Sequence, residues 1–147
     1  MPRYRTSIDS PRPASETFGY LAAFDGIREW DPSVVSARRL DEGPVGLGSA
    51  FEVVVRVGRR ALPLRYEVVR FEPGRLIALE ANARWFRSYD VITVAERAPG
   101  SVASYDALLE LRGLARLAGP LMGRAFRKIG DDAAAGLRRV LGRAQDS

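Results

Sequence analysis

The chain has 147 residues, of which 46% are hydrophobic and 28% charged, as is typical of one soluble globular domain. It contains neither histidine nor cysteine, which excludes disulfides, thiol catalysis and histidine acid–base chemistry and removes the commonest zinc ligands. No window approaches the roughly 18 uninterrupted apolar residues of a membrane span, and the N-terminal segment lacks the apolar core of a signal peptide. We therefore expect a cytoplasmic protein without a membrane span, a metal or a cofactor.

The formal net charge is +5, and 22 of the 23 basic residues are arginine. Most of them are scattered singly or in pairs with acidic residues close by, so we interpret the basicity as surface chemistry and regard nucleic acid as an unlikely partner. The densest basic strip follows the outer side of the last predicted helix, which leaves weak polyanion binding open. Nothing in the sequence specifies the oligomeric state.

The N-terminal part of the chain predicts one strand and two short helices. Alternation of apolar and polar residues indicates a strand over residues 3–9. Helical spacing indicates a helix over residues 13–24, with Glu16 in its first turn where the helix dipole favours a carboxylate. A second short turn over residues 27–30 ends at Asp31 because Pro32 follows it.

After this point the apolar period changes to two for about eighty residues, which is typical of strands. Glycine- and proline-rich turns divide this region into strands over residues 34–40, 49–57, 62–71, 76–80, 85–95 and 102–111. The turns are short enough for successive strands to pair antiparallel. Several of these strands have one charged and one apolar face, so we expect a sheet with a wet side and a dry side.

The last predicted element is a long amphipathic helix over residues 120–143. Its apolar face is formed by Met122, Ala125, Phe126, Ile129, Ala133, Gly136, Leu137 and Val140. Such a face needs a wide apolar partner surface, and only the dry side of the sheet provides one. Four glycines from Gly119 to Gly136 weaken the helix, so we expect close approach of the helix to the sheet or to a ligand at these positions.

Several segments match one family in the right order along the chain. They are Phe18-x-x-Leu21, Trp30-Asp31-Pro32, Gly43-Pro44-x-Gly46-x-Gly48-x-x-Phe51, Tyr66-Glu67-Val68 with Glu72-Pro73, and Pro120-Leu121 before the last helix. With these segments the sequence resembles the START-like, birch-pollen-allergen-like superfamily, in the bacterial branch of polyketide cyclase/dehydrase or SRPBCC proteins.

The resemblance implies a single α+β domain over residues 1–147 with the helix-grip fold. In that fold a curved seven-stranded antiparallel sheet wraps around the long C-terminal helix, two short helices close its mouth, and an internal cavity remains for an apolar molecule. A dry void of about 500 Å³ would cost on the order of 12 kcal/mol, which is comparable with the whole stability of a domain. We therefore expect the interior either to hold ligand and water or to be packed by side chains.

The candidate ligand-binding residues lie on the predicted dry faces of the strands, on the last helix and at the junction of the short helices. They are Trp30, Phe51, Val55, Leu64, Tyr66, Phe86, Asp90, Tyr105, Leu109, Met122 and Phe126. Tyr66 and Tyr105 stand out because a buried phenol needs a hydrogen-bond partner, which a polar ligand group or water would provide. For each aliphatic residue the alternative is ordinary core packing, and for Trp30 the alternatives are a gate and a plug.

The strand over residues 85–95 permits two orientations. If Phe86, Ser88, Asp90 and Ile92 point inward, Asp90 is a carboxylate in an apolar cavity with a raised pKa and acid–base capacity. If Trp85, Arg87, Tyr89 and Val91 point inward, the cavity offers a guanidinium and a phenol to an oxyanion. A third possibility is that the charged residue lies at a rim or in a surface pair.

The first functional hypothesis is a protein that binds a small hydrophobic molecule, such as a lipid, quinone or polyketide, in a cavity between the sheet and the C-terminal helix. The first alternative is an enzyme, a polyketide aromatase/cyclase that positions a poly-ketone chain and stabilises an enolate with Arg87, Tyr66 or Asp90. The second alternative is an RNA- or ribosome-interacting module that uses the basic helix. No catalytic constellation is evident in the sequence, so catalysis stays open.

Overall fold

The computed structural model describes residues 2–143, which form seven strands, two α-helices and two 3-10 helices. The strands are β1 (Arg3–Ser10), β2 (Val34–Arg39), β3 (Ala50–Val57), β4 (Arg60–Glu72), β5 (Leu76–Asn82), β6 (Phe86–Arg97) and β7 (Gly100–Leu111). The α-helices are α1 (Ala14–Ala22) and α2 (Gly119–Arg143), and the 3-10 helices span Phe24–Glu29 and Gly113–Ala118.

All seven strands form one sheet in the order β1-β7-β6-β5-β4-β3-β2, and every neighbouring pair is antiparallel. Short turns connect the consecutive strands from β3 to β7, and two of them place Gly58 and Gly74 at positive φ, which glycine adopts without steric cost. The first strand pairs with the last, so the segment that contains the short helices connects the two edge strands β1 and β2. This architecture confirms the predicted seven-stranded antiparallel sheet.

The sheet has one buried and one wetter face. Along β6, for example, Phe86, Ser88, Asp90 and Ile92 are buried while the residues between them are half-exposed. The buried faces of the other strands form the core together with one side of α2, whose Ala134, Leu137 and Leu141 are buried. The long helix therefore lies on the dry face of the sheet, as its apolar stripe predicted.

Two glycines of α2 allow the helix to approach its neighbours closely. A Cβ atom on Gly136 would overlap the backbone carbonyl of Trp30, and one on Gly130 would lie about 2.5 Å from the ring of Tyr4. The expected close approach is thus found at these two positions. A close approach to the sheet is wrong for Gly119 and Gly123, where a Cβ atom would meet open space, and an approach to a ligand at these two positions stays a prediction.

The short helices cover one end of the sheet, which we call the closed end. The ring of Phe18 on α1 lies 5.9 Å from that of Phe71, and Phe24 of the following 3-10 helix packs edge-on against Phe51 at 6.0 Å. The opposite end, which we call the open end, carries the β3–β4 turn, the β5–β6 loop and the second 3-10 helix. The 3-10 helix over Gly113–Ala118 was not predicted from the sequence.

Candidate functional site

A cavity of about 210 Å³ lies between the inner face of the sheet and α2 and extends toward the open end. Its walls are mostly apolar side chains, and its roof consists of α2 residues from Met122 to Leu137. Of the eleven residues predicted from the sequence, ten line this cavity: Trp30, Val55, Leu64, Tyr66, Phe86, Asp90, Tyr105, Leu109, Met122 and Phe126. Their role in ligand binding stays a prediction, but the fold brings them together around one space.

Phe51 is the predicted residue that does not reach the cavity. It pairs directly with Tyr66 across β3 and β4 and is completely buried, so the inward orientation holds. Its ring packs against Phe24, and the guanidinium of Arg39 lies 5.8 Å from the ring centre. Phe51 therefore belongs to the core at the closed end, where Phe24 packs against its ring.

The structure resolves the orientation of the strand that the sequence left open. Phe86, Ser88 and Asp90 point inward and line the cavity. Arg87 lies on the outer face, where its guanidinium contacts Glu80 at 2.6 Å and Glu110 at 3.7 Å. The alternative with a guanidinium and a phenol of this strand inside the cavity is therefore wrong, and Arg87 takes no part in the site.

The inner face carries a continuous chain of four polar side chains, which we call the polar network. The hydroxyls of Tyr66 and Ser88 are 3.1 Å apart, Ser88 donates to Oδ1 of Asp90 at 3.4 Å, and Tyr105 donates to Oδ2 of Asp90 at 2.6 Å. With Tyr66 as the donor to Ser88, the hydroxyls form a relay in which Ser88 and Tyr105 donate directly to the Asp90 carboxylate. The network therefore stabilises a negative charge in an apolar space.

Strand register explains why these four side chains meet. Tyr66 pairs with Ala81, and Ala81 pairs with Ser88, so one row crosses three strands with the smallest side chain in the middle. The Tyr66 phenol can therefore pass over Ala81 to reach Ser88. Tyr105 pairs with the residue two positions beyond Asp90, which places the two side chains diagonally on the same face.

Burial determines the protonation chemistry of the network. It raises the pKa of Asp90 from the ordinary 3.8 to about 6, although the hydrogen bonds from Tyr105 and Ser88 lower it. Burial, reinforced by the negative charge of Asp90, also raises the pKa values of both Tyr66 and Tyr105. Asp90 can consequently change its protonation state near neutral pH, whereas both phenols stay protonated and act as hydrogen-bond donors.

Asp31 is a second carboxylate in the cavity wall, which sequence reasoning assigned only to a turn. Its Oδ1 accepts hydrogen bonds from the amide and the hydroxyl of Ser33 at 2.9 and 2.7 Å, which forms the turn before β2. Burial raises its pKa, and the bonds from Ser33 lower it. The segment that carries it is held by Trp30, whose ring packs edge-on against Tyr105 at 5.7 Å. No local sequence signal distinguished this turn aspartate from a purely structural one.

Trp30 is a buried part of the cavity wall, and its role as a gate or a plug stays a prediction. Its side chain is 5% exposed, its ring packs edge-on against Tyr105, and its backbone carbonyl lies against Gly136 of α2. On the opposite side of the roof, the phenol of Tyr4 donates a 2.7 Å hydrogen bond to Asp131 of α2. The helix is thus tied to β1 and to the Trp30 segment on either side of the cavity.

Two kinds of feature are absent from residues 2–143. Neither α-helix has a stretch that is both long and apolar enough to pass through a bilayer. The same residues contain no cluster of three or more carboxylates arranged to share a metal ion.

Comparison with protein families gives one match over almost the whole chain. The family model described as "Polyketide cyclase / dehydrase and lipid transport" matches residues 1–142. Comparison with curated protein sequences finds no significant match.

Solved structures with the same fold are numerous. A START superfamily protein from Mycobacterium smegmatis superposes with a TM-score of 0.79 at 12% identity and covers 97% of this chain and 98% of its own. The protein TTHA0849 from Thermus thermophilus has a TM-score of 0.77 at 14% identity, with 97% of each chain covered. Ara h 8.0201 has a TM-score of 0.60 at 12% identity and covers 90% of this chain and 95% of its own. At these identities the likeness establishes the fold, which confirms the helix-grip prediction.

Proposed function

This chain belongs to the polyketide cyclase / dehydrase and lipid transport family, and from that premise we propose that it binds a small, mainly apolar molecule in the cavity between its sheet and α2. The observation that carries the proposal is the combination of an apolar wall with one polar network inside it. Ligand sites in proteins commonly have this composition, in which apolar surface provides affinity and a few polar groups orient the guest.

The energetics of the cavity support an occupant. An empty dry void of this volume would cost about 5 kcal/mol at ~24 cal/mol per Å³, which equals the lower limit of the stability of a whole domain. A guest that fills the space restores the lost contacts and removes that cost. The fold thus provides a place in which binding an apolar molecule also stabilises the protein.

The polar network orients the guest, because the polar end of the molecule would bind beside it. Tyr66 and Asp90 offer acceptor oxygens beside the apolar wall, so a hydroxyl or another donor group of the guest would find a partner there. The volume is smaller than the roughly 300–1,000 Å³ typical of ligand pockets. We therefore expect either a compact molecule or the inner part of a longer one whose remainder extends through the open end.

Native mass spectrometry of the purified protein tests this function. We expect a mass above that of the chain, which disappears after extraction with organic solvent. If the protein has exchanged its guest during purification, the extracted protein should take up an apolar fluorophore such as Nile red with one-to-one stoichiometry. The absence of both an excess mass and probe uptake would contradict the proposal.

A second candidate function, proton transfer at Asp90, is favoured by one observation. Asp90 is 6% exposed, has a pKa of about 6 and lies beside two protonated phenols. Such a carboxylate can remove a proton from a carbon between two carbonyl groups and return it to the alkoxide formed by aldol closure, while the Tyr66 phenol turns its proton from Ser88 to the enolate oxygen. This is the aromatase/cyclase alternative without Arg87.

The two functions differ in what Asp90→Asn would do. Binding requires only that the cavity keep its shape, so the variant should still take up an apolar probe. Proton transfer requires the carboxylate, so the same variant should form no cyclised product from a poly-ketone substrate. The matched control is Tyr89→Phe on the outer face of the same strand, which should change neither property.

A further inference from the structure

Three leucines at the open end are far more exposed than apolar residues of their size usually are. Leu114 and Leu117 on the second 3-10 helix are 85% and 83% exposed, and Leu121 in the first turn of α2 is 71% exposed. They occur within eight residues of the chain. We call them the leucine patch. Large apolar side chains that are exposed together within one short segment often mark a place where another molecule binds.

The segment around the leucine patch also carries the net charge of the protein. Residues 111–130 contain five basic side chains and no acidic one, whereas the remaining 18 basic residues of the chain are matched by 18 acidic residues. The five are Arg112, Arg116, Arg124, Arg127 and Lys128. Among the described residues, only Lys128 of these five forms an ion pair with a carboxylate, that of Asp132. The excess positive charge is thus concentrated beside the exposed leucines.

The neighbouring loops at the open end add to this charge. Arg59 and Arg60 lie at the β3–β4 turn, and Arg84 lies in the β5–β6 loop. No acidic residue occurs in the chain between Glu52 and Glu67 or between Glu80 and Asp90. The leucine patch therefore lies at an end of the molecule that is basic on several elements.

The combination of charge and apolar area selects one kind of partner. A second copy of the same surface would bring two clusters of arginines together, which is unfavourable. RNA would satisfy the arginines but would leave the leucines exposed to water, since single-stranded bases stack on aromatic side chains. An anionic bilayer satisfies both features, because leucines enter the acyl boundary while arginines contact the phosphates. We propose that the open end docks on the surface of a membrane that contains anionic phospholipid.

Docking in this orientation would place the cavity next to the bilayer. Leu121 is followed by Met122, which lines the cavity, and Phe126 lines it one turn later on the same helix. A guest could then move between the acyl region and the cavity without crossing water. This last step rests on the function proposed above, whereas the docking surface itself does not.

Co-sedimentation with vesicles tests the docking surface. The protein should bind vesicles made of an equimolar mixture of phosphatidylcholine and phosphatidylglycerol and should bind vesicles of phosphatidylcholine alone much more weakly. The double variant Leu114→Ser/Leu117→Ser should lower the partition coefficient on the mixed vesicles at least about tenfold, since both side chains would lose their apolar contact. Arg124→Gln/Arg127→Gln should lower it roughly fivefold per charge removed.

Matched controls distinguish binding through this surface from a general effect of positive charge or of exposed hydrophobic side chains. Leu47→Ser changes a leucine that is 73% exposed in the β2–β3 loop at the closed end, and Arg138→Gln/Arg139→Gln removes two exposed charges farther along α2. The leucine control should bind like the wild type, and the arginine control should lose less binding than Arg124→Gln/Arg127→Gln. Equal binding by the wild type and both open-end variants, or salt-sensitive retention on poly-uridine without vesicle binding, would overturn the proposal. Ala107→Phe, designed to fill the cavity, should still bind vesicles. A loss of guest binding can therefore be distinguished from a loss of membrane docking.

Discussion

The phenol of Tyr105 donates a 2.6 Å hydrogen bond to the carboxylate of Asp90, and both side chains face the same apolar cavity. Two opposing effects act on the pKa of Asp90. Burial raises the pKa of Asp90, and the bond from Tyr105 lowers it again. Asp90 is therefore a buried, hydrogen-bonded carboxylate whose pKa is close to neutral pH, and it is the ionisable group around which the polar network is built.

The charge of Asp90 should make the protein less stable as the pH rises. Its pKa is about 6 in the folded protein against an ordinary 3.8, so the folded state binds more protons between these values. The contribution of Asp90 to the free energy of unfolding should therefore be greatest below about pH 4. It should fall by about 3 kcal/mol as the pH rises through 6. Urea unfolding of the wild type and of Asp90→Asn across this range measures the effect.

The difference between the two proteins isolates Asp90 from the other carboxylates. Asp41, Glu80 and Asp106 have lowered pKa values and affect stability mainly at lower pH, whereas the raised pKa of Asp31 adds a decline of its own as the pH rises; these groups are present in both proteins. The variant should lack the part of the decline that Asp90 causes, about 3 kcal/mol. Parallel stability curves for the two proteins would show that Asp90 titrates as an exposed group does.

Removal of the Tyr105 hydroxyl should raise the pKa of Asp90 above its value of about 6. Tyr105→Phe keeps the ring that packs against Trp30 but deletes the donor to the carboxylate. The loss should cost about 1.5–3 kcal/mol where Asp90 is ionised and less where it is protonated. The carboxyl carbon shift of Asp90, followed by NMR through the titration, measures the change in pKa.

Tyr89→Phe is the control for this prediction. Tyr89 lies on the same strand as Asp90 but on the outer face, where its ring is 4.9 Å from the Arg87 guanidinium. Its hydroxyl makes no contact with the polar network, so the variant should leave the titration of Asp90 unchanged. An equal shift in both variants would assign the effect to something other than the bond from Tyr105.

Filling the cavity should be tolerated where filling the core is not. Ala107 lines the cavity, so Ala107→Phe should place its ring in that space and leave the free energy of unfolding unchanged or higher. Ala103 faces the same side of the same strand but lies in packed core, so Ala103→Phe should destabilise the protein by about 1–3 kcal/mol. Urea unfolding of the two variants tests this, and comparable losses of stability would indicate that no usable space exists beside Ala107.

Two glycines of α2 should respond to alanine with opposite signs. At Gly136 the added methyl group would overlap the carbonyl of Trp30, so Gly136→Ala should destabilise the protein and displace the wall of the cavity. At Gly123 the methyl group would meet open space, so Gly123→Ala should stabilise the helix by about 0.5–1 kcal/mol. Thermal unfolding of both variants measures the pair, and the same sign for both would contradict the close approach at Gly136.

The elements of this fold were predictable because their signals are local. A period of two defined the strands, and a stripe at helical spacing defined α2. The β6 strand was ambiguous because its inner face carries Ser88 and Asp90, while its outer face carries Tyr89 and Val91 in half-buried positions. Alternation fails where a site places polar groups inside, so the ambiguity itself pointed to the strand that carries the polar network.

The rest of the site depends on relationships between distant strands. The contact of Tyr66 with Ser88 requires Ala81 between them, and that row is defined by the register of three strands. The exclusion of Phe51 depends on Phe24, which lies in a helix elsewhere in the sequence. No local pattern contains this information. The second 3-10 helix escaped prediction because its exposed leucines do not follow the apolar pattern of a core-facing helix.

Uptake of an apolar probe by protein stripped of its guest tests the central claim most directly. Nile red fluorescence should rise to saturation at one probe per chain for the wild type, and the binding should be lost in Ala107→Phe while that variant remains folded. Probe binding that is equal in the two proteins would show that the site lies elsewhere, and no binding by the wild type would show that the space between sheet and helix accepts no guest.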